Sequence, residues 1–341
     1  MMKGNVSGRG SIAGGGIILL ALLVGCGGGG NGGGSGGNGG GGNSGGTGNT
    51  SGSLIYKPCT PETNVGGFSV LLVDASESTG EYATFAGRVR DGVNPLTYVK
   101  TDASSGSCRL TVKPTCSPAC TSPLLCGVGD MCTAEPTSKG VGAIDVTGLA
   151  MPITGLAALN TQYNKDLSSG TYPPFSSGTP VTLKAAGGDY SPFMLTVTGI
   201  DPLQFAGTNI TVNRGQALPI AWTAPAKTTG KIQATLNVAY HGGGKYRIDC
   251  DFDDDGSGEI PATLIDKLLD QGTAGFPTLA LTRRSVDSTT VASLGCVEFE
   301  VNAYRERQVT VCPMPNMCIV SCGPDKPCPT GQACGNDKKC S

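Results

Sequence analysis

Charge is scarce in this chain. Only 15% of its 341 residues are Asp, Glu, Lys or Arg, and the 24 basic against 26 acidic residues nearly cancel. No basic stripe exists, so the electrostatic footprint of a nucleic-acid binder is missing. Aromatic residues make up 5%, poor material for a carbohydrate-stacking platform, and Trp222 is the only tryptophan. Histidine occurs once, as His241. A Ser-His-Asp triad would have to use it, yet three glycines follow it and no strand–turn–helix nucleophile context is near. Long hydrophobic runs are also lacking. The stretch Ile12–Val24 is too short to span a bilayer as a permanent helix.

What the chain has in excess is glycine, 55 residues, and cysteine, 15 residues. Low charge with many cysteines suits an exported, oxidised protein. The start of the chain carries the same message. Lys3 and Arg9 give a positive leader, and the apolar stretch ends Leu23-Val24-Gly25-Cys26. This resembles the lipobox of bacterial lipoprotein signal peptides. The resemblance implies cleavage after Gly25, diacylglycerol on the Cys26 thiol and acylation of the new amino terminus. Several acyl chains give stable anchoring where one would not. Gly27 stands where an inner-membrane retention Asp would be, which favours the outer membrane.

Residues 27–53 hold only Gly, Asn, Ser and Thr, with 17 glycines among 27 positions. Such a segment cannot bury enough surface to fold and is expected to act as a tether with an r.m.s. reach of about 30 Å. Its Gly33-Gly34-Ser35-Gly36-Gly37 matches G-x-S-x-G in form but has neither the strand nor the helix that a nucleophile elbow needs.

Beyond Leu54, short runs of Val, Ile, Leu, Thr and Tyr alternate with Gly, Pro, Asn and Ser clusters. Phe68–Val73, Val181–Ala185, Met194–Val197, Asn209–Val212, Leu218–Thr223 and Lys231–Tyr240 read as strands. The fold expected is all-β: antiparallel, β-sandwich-like domains with one short helix and two small disulfide-rich modules. The helix is Pro261–Gln271, where Leu264, Ile265, Leu268 and Leu269 share a face and Gly272 stops it.

The cysteines suggest the divisions: leader 1–25, lipidated Cys26 and tether 26–53, a β domain 54–115, a Cys-rich module 116–136, a β-sandwich-like domain 137–311, and a second module 312–341. Cys59 and Cys108 fall in the first β block, and Cys250 and Cys296 in the second. Cys116, Cys120, Cys126 and Cys132 form the first module, and Cys312, Cys318, Cys322, Cys328, Cys334 and Cys340 the last. Every block holds an even count, so the expected bridges are Cys59–Cys108 and Cys250–Cys296, with the rest inside their own modules. Closing the loop of about 50 residues between Cys59 and Cys108 is worth roughly 4 kcal/mol. Cys116-x3-Cys120-x5-Cys126-x5-Cys132 repeats as Cys318-x3-Cys322-x5-Cys328-x5-Cys334. A second register aligns Cys126 and Cys132 with Cys334 and Cys340. C-x2-C pairs and nearby histidines are missing, which argues for disulfides over zinc.

The lipobox and glycine tether lead into "GRVRDGVNP" (87–95), "GSCRL" (106–110) and "CSPACTSPLLCGVGDMC" (116–132). "IAWT" (220–223), "AYHGGGKYRIDC" (239–250) and "DDGSGEIPATLIDKLL" (254–269) follow. Together these resemble predicted surface lipoproteins of myxobacteria and related soil bacteria, a group with short cysteine-rich modules. The resemblance implies an address and an architecture and adds no activity.

Two acidic stretches offer chemistry. "SVLLVDASES" (69–78) places Asp74, Ser76 and Ser78 at the D-x-S-x-S spacing of the metal-ion site of the von Willebrand type A fold. That fold is a larger α/β domain than the block can hold, so a strand followed by a polar turn is expected, and Asp102 likewise reads as a turn. "DFDDDG" (251–256) fits the start of an EF-hand-type loop, with calcium on Asp251, Asp253 and Asp255. Against it, position 12 is Ala262 and a strand, not a helix, precedes. Trp222 alternates with Leu218 and Ile220 as a core residue. Tyr172-Pro-Pro-Phe175 reads as a connector that could expose two rings.

The reading reached is a non-enzymatic, lipid-anchored envelope protein. Its partners are the membrane and an unidentified extracellular or envelope partner, without nucleic acid and without a required cofactor. A calcium-dependent adhesion module and a secreted hydrolase with a cleft set by the fold are the alternatives.

Overall fold

The computed structural model describes residues 55–73, 81–206, 210–227, 229–239, 244–291, 295–314 and 317–319, together with Cys328, Ala333 and Gly335. The leader, Cys26, the tether, Asp74, Ser76, Ser78, His241, Cys322, Cys334 and Cys340 lie outside the described residues.

The fold is all-β, with the one α-helix of the described residues at Ala262–Asp270. Its centre is a ten-stranded sheet. The order is Tyr163–Asp166, Tyr82–Arg90, Asn64–Val73, Gly295–Gln308, Thr278–Val291, Lys231–Asn237, Tyr246–Asp253, Cys108–Val112 and Lys100–Ser105, with Ser138–Lys139 beside Tyr82–Arg90. The two 14-residue strands Thr278–Val291 and Gly295–Gln308 pair along their whole length and form the spine. Within the named strands of this sheet one pairing departs from the antiparallel expectation. Asn64–Val73 runs parallel to Gly295–Gln308. Asp102 sits in an edge strand, at an irregularity of register between Thr101 and Ala103, and not in a turn.

Strand alternation divides the sheet into an apolar and a polar face. Phe68, Val70, Phe85, Phe299, Val301, Ile232, Ala234, Ile248, Cys250 and Leu110 all belong to one buried cluster. A four-stranded sheet, Phe193–Thr198, Pro180–Ala185, Ile144–Thr147 and Ile153–Leu156, covers one end of that face. The Phe193 ring meets Phe68 at 6.3 Å. The Thr196 and Thr198 N–H groups donate to Asp287 and Ser285 of the spine. The helix covers the other end, packing on Tyr246–Asp253, Cys108–Val112 and Lys100–Ser105. Its Leu264, Ile265, Leu268 and Leu269 are buried as the spacing predicts, and each contributes about 2 kcal/mol of burial. Pro261 caps the helix rather than occupying its first turn. Gly272 follows the last turn at φ 87°, a conformation that favours glycine.

The sheet order overturns the division into separate β domains at 54–115 and 137–311. Strands from residues 64–112 flank both sides of strands from 231–308. A block of about 60 residues is marginal as a core of its own, and its strands Asn64–Val73 and Cys108–Val112 instead bond to Gly295–Gln308 and Tyr246–Asp253.

The disulfides follow the sheet. Cys59 bonds to Cys296 and Cys108 to Cys250, not Cys59 to Cys108 and Cys250 to Cys296. Even counts permit exchange between blocks as readily as pairing within them, and strand register decides. Cys108 and Cys250 are direct cross-strand partners, and Asn64, a short step beyond Cys59, is registered with Cys296. Cys116–Cys126 and Cys120–Cys132 remain inside their module. Cys312 pairs with Cys318 across the hairpin of Thr310–Met314 and Met317–Ile319.

Candidate functional site

The polar face of the sheet gathers most of the charge that the core strands carry. Lys231, Gln233 and Thr235 are registered against Asp253, Asp251 and Asp249, while Arg284, Val286 and Ser288 are registered against Asn302, Glu300 and Glu298. Arg284 is 2% exposed. Its Nη2 lies 2.9 Å from Glu300 Oε2 and 3.9 Å from Glu298 Oε2. Its Nη1 donates to Gln233 Oε1 at 3.3 Å. Asn302 Nδ2 donates to Glu300 Oε1 at 2.8 Å and to Ser69 Oγ at 3.0 Å. Breaking such a buried pair leaves an uncompensated charge.

The segment Ile55–Cys59 runs beside Thr278–Val291 where the partner strand Lys231–Asn237 has ended, and reaches onto this face. Tyr56 bridges Val286 in parallel, and the Lys57 N–H donates to the Val286 carbonyl at 2.8 Å. Ser285 Oγ donates to the Ile55 carbonyl at 3.2 Å. The Cys59 N–H donates to Glu298 Oε1 at 2.6 Å. The Tyr56 hydroxyl donates to Asp251 Oδ1 at 3.0 Å, and Arg109 Nη2 holds Asp251 Oδ2 at 2.7 Å. Burial pushes the Tyr56 phenol far above its ordinary value. The Asp251 carboxylate pushes the same way, and the Arg284 guanidinium opposes it.

The calcium loop does not assemble here. Asp251 is held by Arg109 and Tyr56, Asp253 pairs with Lys231 at 3.1 Å, and Asp255 Oδ1 accepts the Ser257 N–H at 3.2 Å. Each carboxylate serves a different neighbour, because strand alternation continues through Asp253 before the turn begins. Asp249 is equally occupied, by Arg247, Thr111 and Thr235 at 2.8 Å each. Among the described residues the only group close enough to share a metal is Cys116, Cys120 and Cys126. Their sulfurs are already consumed in disulfides.

Trp222 is a core residue, 3% exposed, whose Nε1 donates to Asp254 Oδ1 at 2.8 Å. The rings of the Tyr172–Phe175 connector are not an exposed pair. Phe175 is buried and Tyr172 half-buried. An open cavity of about 450 Å³ lies among Phe205, Ile210, Leu218, Pro219, Ala221 and Gly258, and among the described residues no titratable side chain lines it.

The sequence reading missed Tyr56, Asp254, Arg283, Arg284, Glu298 and Glu300. A signal for some was present. In "VEFEVN", Glu298, Glu300 and Asn302 alternate with Val297, Phe299 and Val301, the period of a strand with one polar face.

No protein-family model, curated protein or solved structure matches this chain.

Proposed function

We propose that this chain is an exported bacterial lipoprotein, fixed to the cell envelope through Cys26, with a structural or interaction role toward an unidentified envelope or extracellular partner. The observation that carries the export reading is the covalent framework. Among the described residues two bridges join chain segments 237 and 142 residues apart, and three more close short loops. Such a set persists only where thiols are not kept reduced. The lipobox supports the anchor, and Gly27 favours the outer membrane. A non-catalytic role is favoured because the acids and bases at the sheet are spent on one another. Asp249, Asp251 and Asp254 each hold an arginine, and Arg284 sits between two glutamates. Replacing Cys26 by Ser should move the protein from the detergent to the aqueous phase in a detergent-partition experiment. An unchanged partition refutes the anchor.

A further inference from the structure

An N-terminal attachment applies any pull to the folded body at Ile55. This inference rests on that reading of the N-terminus. The first contacts to meet the pull are few. Among the described residues they are the Tyr56–Val286 bridge, the Lys57 N–H to Val286, the Lys57 ammonium to the Ser288 carbonyl, the Ser285 hydroxyl to Ile55, the Tyr56 hydroxyl to Asp251 and Lys231 over the Tyr56 ring. Behind them stands a covalent bond, Cys59 to Cys296, 237 residues further along the chain. Cys296 is the second residue of the spine strand Gly295–Gln308.

We propose that Cys59–Cys296 is a force shunt. Tension entering at the anchor crosses from Cys59 directly into Gly295–Gln308 and leaves toward the C-terminal cysteine-rich module. The chain between the two cysteines, which contains most of the large sheet, all of the small sheet and the helix, is a side branch that carries no load. Hydrogen-bonded strands yield under a pull, and a disulfide does not, so the body keeps its shape and any surface it presents while the tether is taut. The device is nested. Cys108–Cys250 closes a 142-residue span inside the outer loop, so loss of the outer bridge still protects the inner strands. Cys312–Cys318 does the same for the hairpin at the exit.

The test is to stretch the full chain between chemical handles, one in the tether and one at the C-terminus, in an optical trap. In the oxidised protein the body can release only the few residues before Cys59 and those from Cys296 to Cys312, about 70 Å of chain. Cys59→Ala with Cys296→Ala should release about 330 Å more, because Cys108–Cys250 still hides its own loop. Full reduction of the folded wild type in the trap should release about 800 Å more, and serves if the double variant does not fold. Release of several hundred ångströms by the oxidised wild type overturns the shunt. So does a double variant that folds yet releases no more than wild type. The handles replace the lipid, so a negative Cys26 partition result leaves this measurement standing and moves only the question of what pulls on the tether.

Discussion

Arg283 holds Asp254 by both carboxylate oxygens, Nε to Oδ2 at 2.6 Å and Nη2 to Oδ1 at 3.0 Å, with the two side chains 1% and 0% exposed. The guanidinium also donates to the carbonyls of Asp201, Pro202 and Thr223, and Trp222 donates to the same carboxylate. One ion pair therefore ties the spine to the segments that cover its apolar face. Removing the carboxylate leaves Arg283 charged and buried without a counter-charge. Asp254→Ala should cost about 3–5 kcal/mol, read as a shift in the denaturant midpoint. Asp255→Ala, at an exposed neighbour, should change stability by no more than about 0.5 kcal/mol. Equal effects of the two would contradict the assignment.

The same acidic run makes a second expectation. Asp251, Asp253 and Asp255 already have partners of their own, so millimolar calcium should leave the thermal midpoint where it was. Arg109→Ala should lower the midpoint by withdrawing the cation from Asp251, whose side chain is 21% exposed. A calcium-dependent rise of a few degrees, abolished by Asp253→Asn with Asp255→Asn, would restore the metal loop.

Local patterns were legible in the sequence, and long-range pairings were not. The helix announced itself because Leu264, Ile265, Leu268 and Leu269 repeat at its own period and Gly272 ends it, all within one dozen residues. The strand at Tyr246–Asp253 showed in the same way, as did the buried Trp222. The sheet order has no local signal. Nothing near Asn64–Val73 says that its parallel partner begins at Gly295, and hydrophobic alternation fits any neighbour of the right length. The disulfide pairing was lost for the same reason, since counting cysteines by block assumes that sequence blocks are spatial blocks. At the candidate site, positions 251, 253 and 255 carry the alternate carboxylates of a known calcium loop. The residue between, Asp254, is the buried one.

The cysteine spacing now yields a sharper expectation. Cys312–Cys318 removes Cys318 from the first register of the repeat. The second register is then left, in which Cys120-x5-Cys126-x5-Cys132 matches Cys328-x5-Cys334-x5-Cys340. The observed bridge Cys120–Cys132 translates to Cys328–Cys340, and Cys322, two residues before the position that matches Cys116, is left to pair with Cys334 as Cys116 does with Cys126. Peptide mapping without reduction should recover both, along with Cys59–Cys296 and Cys108–Cys250. A Cys318–Cys328 peptide would return the repeat to its first register.

Tyr172 offers the clearest pH-dependent test. Its hydroxyl is buried and has no hydrogen-bond partner among the described residues, whereas the Tyr56 hydroxyl has Asp251. A buried hydroxyl without a partner loses its hydration and regains nothing, so Tyr172→Phe should stabilise the fold by about 1 kcal/mol near pH 8. Burial, with Glu81 adding to it, pushes the Tyr172 phenol up to about 12 from an ordinary 10.0. The folded state thus keeps the proton at a pH where the unfolded chain has released it. The resulting stability is intact below about pH 10 and is lost as pH rises toward 12. Wild type should therefore weaken more steeply than Tyr172→Phe over that window, and the gap between their thermal midpoints should widen above pH 10. Tyr56 keeps the variant from being flat, because its own phenol is raised further and by the same cause. A gap that stays constant from pH 8 to pH 12 would mean that the Tyr172 hydroxyl is hydrated in the folded protein.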